Sequence, residues 1–175
     1  MLSRASTVHK VEMELVIRCA VPAEAARLTD LARAAKACWG YPAAWLAAWA
    51  ADLAITPEYV GAHRVFAAEI AGELVGVCAV EDLRERWALE HVWVARVQHG
   101  RGIGQALVWH ALEAARAHRP GVVQVTSDPH AAGFYERLGA RRVGAVPAPM
   151  VDAPARELPL FEFLVAATEN HAATG

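Results

Sequence analysis

The sequence is poor in cysteine: there are three such residues among 175, and no two of them lie close together. An odd and scattered set of cysteines argues against a disulfide framework and against a CxxC metal site. It is typical of small buried side chains in a reducing compartment. The eight histidines form no HxH or HxxxH pair. No metal site is therefore predicted.

Runs of one charge sign are also missing. The chain has 17 Lys and Arg against 19 Asp and Glu, and its pI is about 6.4. No basic block stands out, so a nucleic-acid partner is not expected. The most apolar stretch, residues 43–55, is interrupted by Asp52 and is shorter than the roughly 20 residues that a membrane span needs. Residues 1–10 are polar and hold no apolar signal core, so we expect a cytoplasmic protein without a membrane partner.

Hydrophobic residues, at 55%, are abundant. The length suits one domain, residues 1–175, with a core from about residue 11 to residue 165. Apolar periodicity and turn residues predict one strand, two helices, three strands, a helix, a strand, a helix and two strands. The predicted strands are 11–20, 64–70, 74–80, 87–94, 122–126, 141–146 and 158–165. Hairpins imply antiparallel pairing, and the helix after the fourth strand implies one parallel crossover. The fold class is α/β (α+β) with a mixed sheet.

A glycine-rich bend joins the fourth strand to the next helix. Gly100, Gly102 and Gly104 let the backbone bend tightly, and the free amides of the helix's first turn favour an anion such as a pyrophosphate. Arg101 could add a phosphate contact. A dinucleotide fingerprint fails because Leu107 stands where its third glycine should be, and no Walker Gly-Lys-Ser/Thr is present. A turn without any ligand stays open on the glycines alone.

Three motifs carry a family resemblance. Residues 99–104, HGRGIG, match the pattern Q/R-x-x-G-x-G/A, with His in place of Gln or Arg. Phe134, Tyr135 and Gly139 match FY-x-x-x-G, and residues 72–76, GELVG, match a family hairpin. Over nearly its whole length the chain therefore resembles the GNAT superfamily of acetyl-CoA-dependent N-acetyltransferases. The resemblance implies a mostly antiparallel sheet with helices on both faces and a splayed parallel strand pair.

The same resemblance implies an enzyme, an acyltransferase. It would transfer the acetyl group of acetyl-CoA, its co-substrate, to a primary amine of a small molecule or peptide by direct attack. Two alternatives stay open. One is a non-catalytic module of the same fold that binds or senses acyl-CoA, and the other is an assembly partner with a vestigial pocket. The oligomeric state is open too, and a homodimer is a common arrangement in the family.

Motif matching assigns the cofactor contacts that the resemblance implies. Val92 and Val94 on the fourth strand would pair with the pantetheine arm, and the amide of Val92 would polarise the thioester carbonyl. His130 lies where relatives often have an Asn that contacts the cofactor. The pyrophosphate would rest on the amides of Gly100, Arg101, Gly102, Ile103, Gly104 and Gln105.

Two residues are candidates for proton transfer. Tyr135 matches the family tyrosine that faces the sulfur, and its phenol can donate to the departing thiolate. Its structural alternative is an aromatic that packs beside Phe134. Glu90 is the candidate base for the amine, because two-residue periodicity places it on one strand face with Val92 and Val94. Its alternative is a charge at the rim.

Aromatic residues mark the expected acceptor side. Trp39 and Tyr41 flank a Gly in a helix break, where they are candidates for the acceptor pocket. An aromatic wall there could take an apolar or aromatic amine, or a cation through its ring faces. Trp45 and Trp49, spaced by four residues on one helix, are expected to pack together in the core.

Overall fold

The computed structural model describes residues 14–166, which form one seven-stranded sheet and the helices that pack on it. The strands are β1 (Leu15–Cys19), β2 (Arg64–Ile70), β3 (Glu73–Asp82), β4 (Trp87–Val94), β5 (Gly121–Thr126), β6 (Arg141–Pro147) and β7 (Glu157–Val165). The helices are α1 (Ala25–Ala37), α2 (Ala43–Ala48), α3 (Pro57–Ala62), α4 (Ile103–His118) and α5 (Ala132–Arg137). The polar residues 1–10 and the expected start of the core at residue 11 lie outside the described residues.

The strand order across the sheet is β1-β2-β3-β4-β5-β7-β6. Neighbouring strands are antiparallel except β4 and β5, which are parallel and joined through α4. This arrangement confirms the predicted mixed, mostly antiparallel sheet with one parallel crossover.

Helices cover both faces of the sheet, as expected, because each face carries its own apolar cluster. On one face α4 and α5 pack over a cluster that contains the fully buried Trp87, Leu107 and Phe161. On the other face α1 and α3 pack over a smaller cluster that contains Leu28 and Val77.

The helix α4 has the buried face that its periodicity predicts. Its buried residues are Ile103, Leu107, Val108, Ala111, Leu112 and Ala115. Gly102, at the N-terminal boundary, has φ +77°, a left-handed conformation that glycine adopts without a Cβ penalty. Packing of this face against β3 and β4 therefore holds the N-terminus of α4 near the end of β4.

The strand β4 contains one extra residue relative to β3. Ala79 pairs with Glu90 and Val77 pairs with Trp93, so two steps along β3 correspond to three steps along β4. His91 lies within this bulge with φ +52°, an uncommon conformation for a residue with a Cβ atom. The regular alternation of β4 is therefore interrupted between Glu90 and Trp93.

The bulge corrects one prediction from the sequence. Glu90 and Val92 were expected on one face with Val94, but Glu90 lies opposite Ala79 on the α1 face, whereas Val92 and Val94 pack into the α4 cluster. The physical reason is that one inserted residue shifts the two-residue period of a strand and reverses the faces beyond it.

Candidate active site

The sheet opens between its two parallel strands. β4 and β5 pair only at Trp87–Val123 and Ala88–Gln124. Beyond these pairs, residues 89–94 have no strand beside them on the β5 side within the part of the chain that the structure describes. This free edge of β4 can form backbone hydrogen bonds with an extended ligand.

A cavity of about 640 Å³ lies at this opening, bounded by β4, the start of α4 and α5. Ten of the predicted site residues line it: Trp39, Val92, Val94, Gly100, Gly102, Ile103, Gly104, Gln105, His130 and Tyr135. Three predicted residues, Arg101, Tyr41 and Glu90, lie outside this lining. The structure thus brings the glycine-rich bend, the β4 edge and the tyrosine to one opening.

The N-terminus of α4 points bare amides at the cavity. No side chain caps this end, and the amides of Ile103, Gly104 and Gln105 find no hydrogen-bond acceptor within residues 14–166. Gly100 and Gly102 both have φ near +78°, and a Cβ built on either would meet nothing within 4 Å. Free amides, open space and the positive end of the helix dipole suit an anionic group.

His99 and Arg101 use their side chains within the bend itself. His99 Nε2 donates to the carbonyl oxygen of Val94 over 3.0 Å, which ties the bend to the end of β4. The guanidinium of Arg101 donates to the side-chain oxygen of Gln98. His99 therefore has a structural role where the family motif has Gln or Arg, and the side chain of Arg101, which does not itself line the cavity, is engaged by the lining residue Gln98.

Tyr135 lies at the inner end of the cavity and is 5% exposed. Its ring lies 5.1 Å from the ring of Phe134 and 6.1 Å from that of Phe161, measured between centroids. Its hydroxyl forms no side-chain hydrogen bond with the described residues. Burial raises the pKa of the Tyr135 phenol, helped by nearby Cys78 and Glu90, so the hydroxyl keeps its proton at neutral pH.

Glu90 lies on the other side of β4, in a small acidic group. It remains accessible to solvent, but neighbouring residues partly desolvate its carboxyl. That desolvation, together with the charge of Glu81, raises the pKa of Glu90 to about 7. The Tyr59 hydroxyl donates to Glu81 over 2.6 Å and holds that carboxylate in place. Glu90 is thus poised to exchange a proton near neutral pH.

Aromatic rings form the cavity wall on the α1 side. The ring centroids of Trp39 and Trp93 lie 5.5 Å apart, and His130 stacks on Trp39 at 5.7 Å. The His130 amide donates to Asp128 over 2.9 Å. The Tyr41 hydroxyl also donates to Asp128, over 2.9 Å, which keeps Tyr41 behind the wall, and burial raises its pKa to about 12.

Sequence reasoning missed two residues near this wall. Trp93 lines the cavity, and its indole nitrogen is buried without a hydrogen-bond partner among residues 14–166. Lys36 is 7% exposed and packs behind the wall. A signal for Lys36 was present, because it continues the buried helical stripe of Ala25, Leu28 and Ala32 at a spacing of four residues.

Two kinds of feature are absent from residues 14–166. No group of three or more His, Cys, Asp or Glu side chains is placed to hold a metal ion. None of the helices in this part of the chain has the length and apolar character for crossing a membrane.

An opened sheet with an uncapped helix N-terminus at its mouth agrees with the class of protein that the sequence motifs implied. The model of the acetyltransferase (GNAT) family matches residues 27–140, which is 114 of the 175 residues. The chain belongs to the acetyltransferase (GNAT) family, and the predicted family membership is confirmed.

Solved structures share this fold at low sequence identity. The PaiA N-acetyltransferase from Thermoplasma acidophilum, in complex with coenzyme A, is 12% identical with a TM-score of 0.70, covering 87% of this chain and 99% of that one. The ribosomal-protein-S18-alanine N-acetyltransferase from Escherichia coli is 15% identical with a TM-score of 0.66, covering 90% and 98%. An aminoglycoside 6′-N-acetyltransferase complexed with coenzyme A is 17% identical with a TM-score of 0.67, covering 86% and 97%.

Proposed function

We propose that this protein transfers the acetyl group of acetyl-CoA to a primary amine of a small molecule or peptide by direct attack. The observation that carries the proposal is one continuous cavity. It runs from the bare amides of α4, along the free edge of β4, to Tyr135. Acetyl-CoA, when bound, supplies an acetyl group activated as a thioester.

The residues present fit this co-substrate. The amides from Gly100 to Gln105 would hold the diphosphate, since they lie at the positive end of α4 and Gly100 and Gly102 border open space. Val92 and Val94 would pair with the pantetheine arm along the free edge of β4. His130 would contact the cofactor from the loop before α5. The Val92 amide would donate to the thioester carbonyl, where negative charge develops.

Proton transfer would use the two sides of β4. Glu90 lies on the α1 face and would accept, directly or through a water, the proton that an amine must lose before it attacks. Tyr135 lies on the α4 face and would give its proton to the departing sulfur. Because of the bulge at His91, the proposed base would act from the acceptor side and the proposed acid from the cofactor side.

The acceptor would approach along the aromatic wall. Trp39 contributes directly to the cavity lining, whereas Tyr41 would act from behind by supporting His130, whose ring lies 5.3 Å away. This route leads past Trp93 toward Glu90 on the same face of β4.

The test follows free thiol released from acetyl-CoA with a panel of primary amines. Tyr135→Phe keeps the ring and removes the acid, so turnover is expected to fall by about 10²- to 10⁴-fold. Affinity for coenzyme A, measured by calorimetry on the same variant, is expected to change little because the phosphate contacts remain. Unchanged turnover would remove Tyr135 from the acid role.

The alternatives predict different results in the same assay. Measurable binding of coenzyme A without thiol release for any amine would support a module that binds or senses acyl-CoA. No binding of coenzyme A would support an assembly partner with a vestigial pocket.

A further inference from the structure

A lysine occupies the centre of an aromatic cage behind the cavity wall. Lys36 Nζ lies 4.5 Å from the ring centroid of Trp49, 5.0 Å from those of Trp39 and Tyr41, and 5.8 Å from that of Trp93. We call these five residues the Lys36 cage. Four rings around one ammonium give it several cation–π contacts, which are strongest where water is excluded.

The Lys36 cage, taken together with the charged residues packed against it, has excess positive charge. The Lys36 ammonium forms an ion pair with Asp128, and the Arg156 guanidinium lies 3.9 Å from the same carboxylate and 5.0 Å from the Trp49 ring. The side chains of Lys36, Arg156 and Asp128 are 9%, 11% and 7% exposed. Two cations against one anion leave about one positive charge in a region poorly screened by solvent.

Two rings belong both to the cage and to the cavity wall. Trp39 and Trp93 contact Lys36 and also line the cavity. Glu90 and Trp93 lie on the same face of β4. Their partners on β3, Ala79 and Val77, are two residues apart, which corresponds to roughly 7 Å along the strand. An acceptor whose amine is near Glu90 would therefore place the rest of its structure against these rings.

We infer that Lys36 determines acceptor specificity, and that the acceptor carries an uncharged apolar or aromatic group beyond its reacting amine rather than a second cation. The inference rests on the proposed function, because it concerns the acceptor side of the same cavity. The rings that could attract a second cation already hold an internal one. A second ammonium against the wall would also face the positive charge of Lys36 and Arg156, an unfavourable contact that selects against that acceptor.

The charge state of Lys36 is consistent with this role. Burial lowers the pKa of Lys36, and the hydrogen bond from its ammonium to Asp128 opposes that shift. The carboxylate partner and the surrounding ring faces both favour the protonated form over a neutral amine.

The test compares hexylamine with 1,6-diaminohexane, which differ only by an ammonium at the far end. Binding to the protein saturated with coenzyme A is followed by tryptophan fluorescence, because the wall contains Trp39 and Trp93. We expect hexylamine to bind about tenfold more tightly than 1,6-diaminohexane. That difference is the size expected when one charged group makes an unfavourable contact away from water. Equal or tighter binding of the diamine, or no binding of either amine, would overturn the inference.

Variants connect this preference to Lys36. Lys36→Met keeps an unbranched side chain without charge, so the two amines are expected to bind this variant almost equally. Lys36→Arg keeps the charge and is expected to retain the tenfold preference for hexylamine. An unchanged preference in folded Lys36→Met would overturn the role of Lys36. Because that change leaves Asp128 with one fewer partner and could prevent folding, Arg156→Gln is a second variant. It also lowers the charge behind the wall and is expected to reduce the preference.

Thiol release with the same two amines separates this inference from the proposed function. Preferential binding of hexylamine without any thiol release would support the inference and contradict the transferase. Faster thiol release with the diamine would support the transferase and overturn the inference.

Discussion

His91 is the extra residue of the bulge in β4, and the bulge decides which residues share a face with Glu90. In a regular strand over the same residues, the two-residue period would place Glu90 on one face with Val92 and Val94, beside the proposed cofactor contacts. With the bulge, Glu90 shares the α1 face and the acceptor wall with Trp93, while Val92 and Val94 lie on the α4 face. The positive φ of His91 carries a conformational cost, which the pairing on either side of the bulge compensates.

Replacement of Glu90 tests its role as the base. The pKa of Glu90 is raised to about 7 by desolvation and by Glu81, so its basic form becomes dominant above pH 7. We expect kcat to rise with pH through an inflection near 7 and then level off. Glu90→Gln is expected to remove the inflection and to lower kcat by about 10²- to 10⁴-fold.

The control for this pH profile is Glu113→Gln. Glu113 is a surface carboxylate on α4 that, within residues 14–166, pairs only with Arg116 on the same helix. Its substitution is expected to leave both the inflection and kcat unchanged. An inflection near 7 that persists in Glu90→Gln would assign it to another group and exclude Glu90 as the base.

The helix α4 contributes to the stability of the fold through its buried face and to the proposed binding site through its N-terminus. Its buried face packs on the sheet, while its N-terminal amides point into the cavity without a side-chain cap from the described part of the chain. A side-chain cap at this end would stabilise the helix by about 1 kcal/mol, yet it would occupy the amides proposed for the diphosphate. The absence of a cap at Gly102 is therefore consistent with an anion-binding role.

Two glycines with the same backbone conformation allow the effect of backbone strain to be distinguished from a direct effect on coenzyme A binding. Gly102 at α4 and Gly72 in the β2–β3 turn have φ +77° and +79°, and a Cβ on either would meet nothing within 4 Å. Alanine at either position is expected to cost about 1 kcal/mol of folding free energy. Only Gly102→Ala is expected to weaken coenzyme A binding, by at least about tenfold, because its Cβ enters the cradle. Calorimetry and thermal denaturation measure the two effects.

The result for Gly72→Ala decides how the comparison is interpreted. Equal loss of coenzyme A affinity in both variants would mean that backbone strain lowers binding indirectly. Unchanged affinity in Gly102→Ala would place the anion site away from the N-terminus of α4.

Across the whole molecule, the cavity is assembled from parts that are distant in sequence. It combines the end of α1, the edge of β4, the start of α4 and the α5 region, and a ligand that contacts all of them stabilises the folded state over the unfolded one. At 100 times its dissociation constant, coenzyme A is expected to raise Tm by roughly 5–10 °C for a chain of this size.

This shift in Tm is measured by thermal denaturation with and without coenzyme A. At the same coenzyme A concentration, Gly102→Ala is expected to show a smaller shift than Gly72→Ala. An unchanged Tm at millimolar coenzyme A would contradict binding to the folded chain.

Local patterns were sufficient for the order of the seven strands and of α4 and α5, for the strand bounds of β2 and β4, and for the buried face of α4. They predicted two helices between β1 and β2, where the structure has the three helices α1, α2 and α3. The motifs around Gly102 and Tyr135 were sufficient to identify the family, since its match to residues 27–140 confirms it. These properties depend on neighbours within a few positions, where helical and strand periodicities act.

The tertiary structure alone decided the face of Glu90, the position of Tyr41 behind the wall and the Lys36 cage. The bulge at His91 is defined by its register against β3, and the pair of Lys36 with Asp128 joins residues 92 positions apart. Periodicity within one segment carries no information about such pairings, because they arise only when separate elements pack against each other.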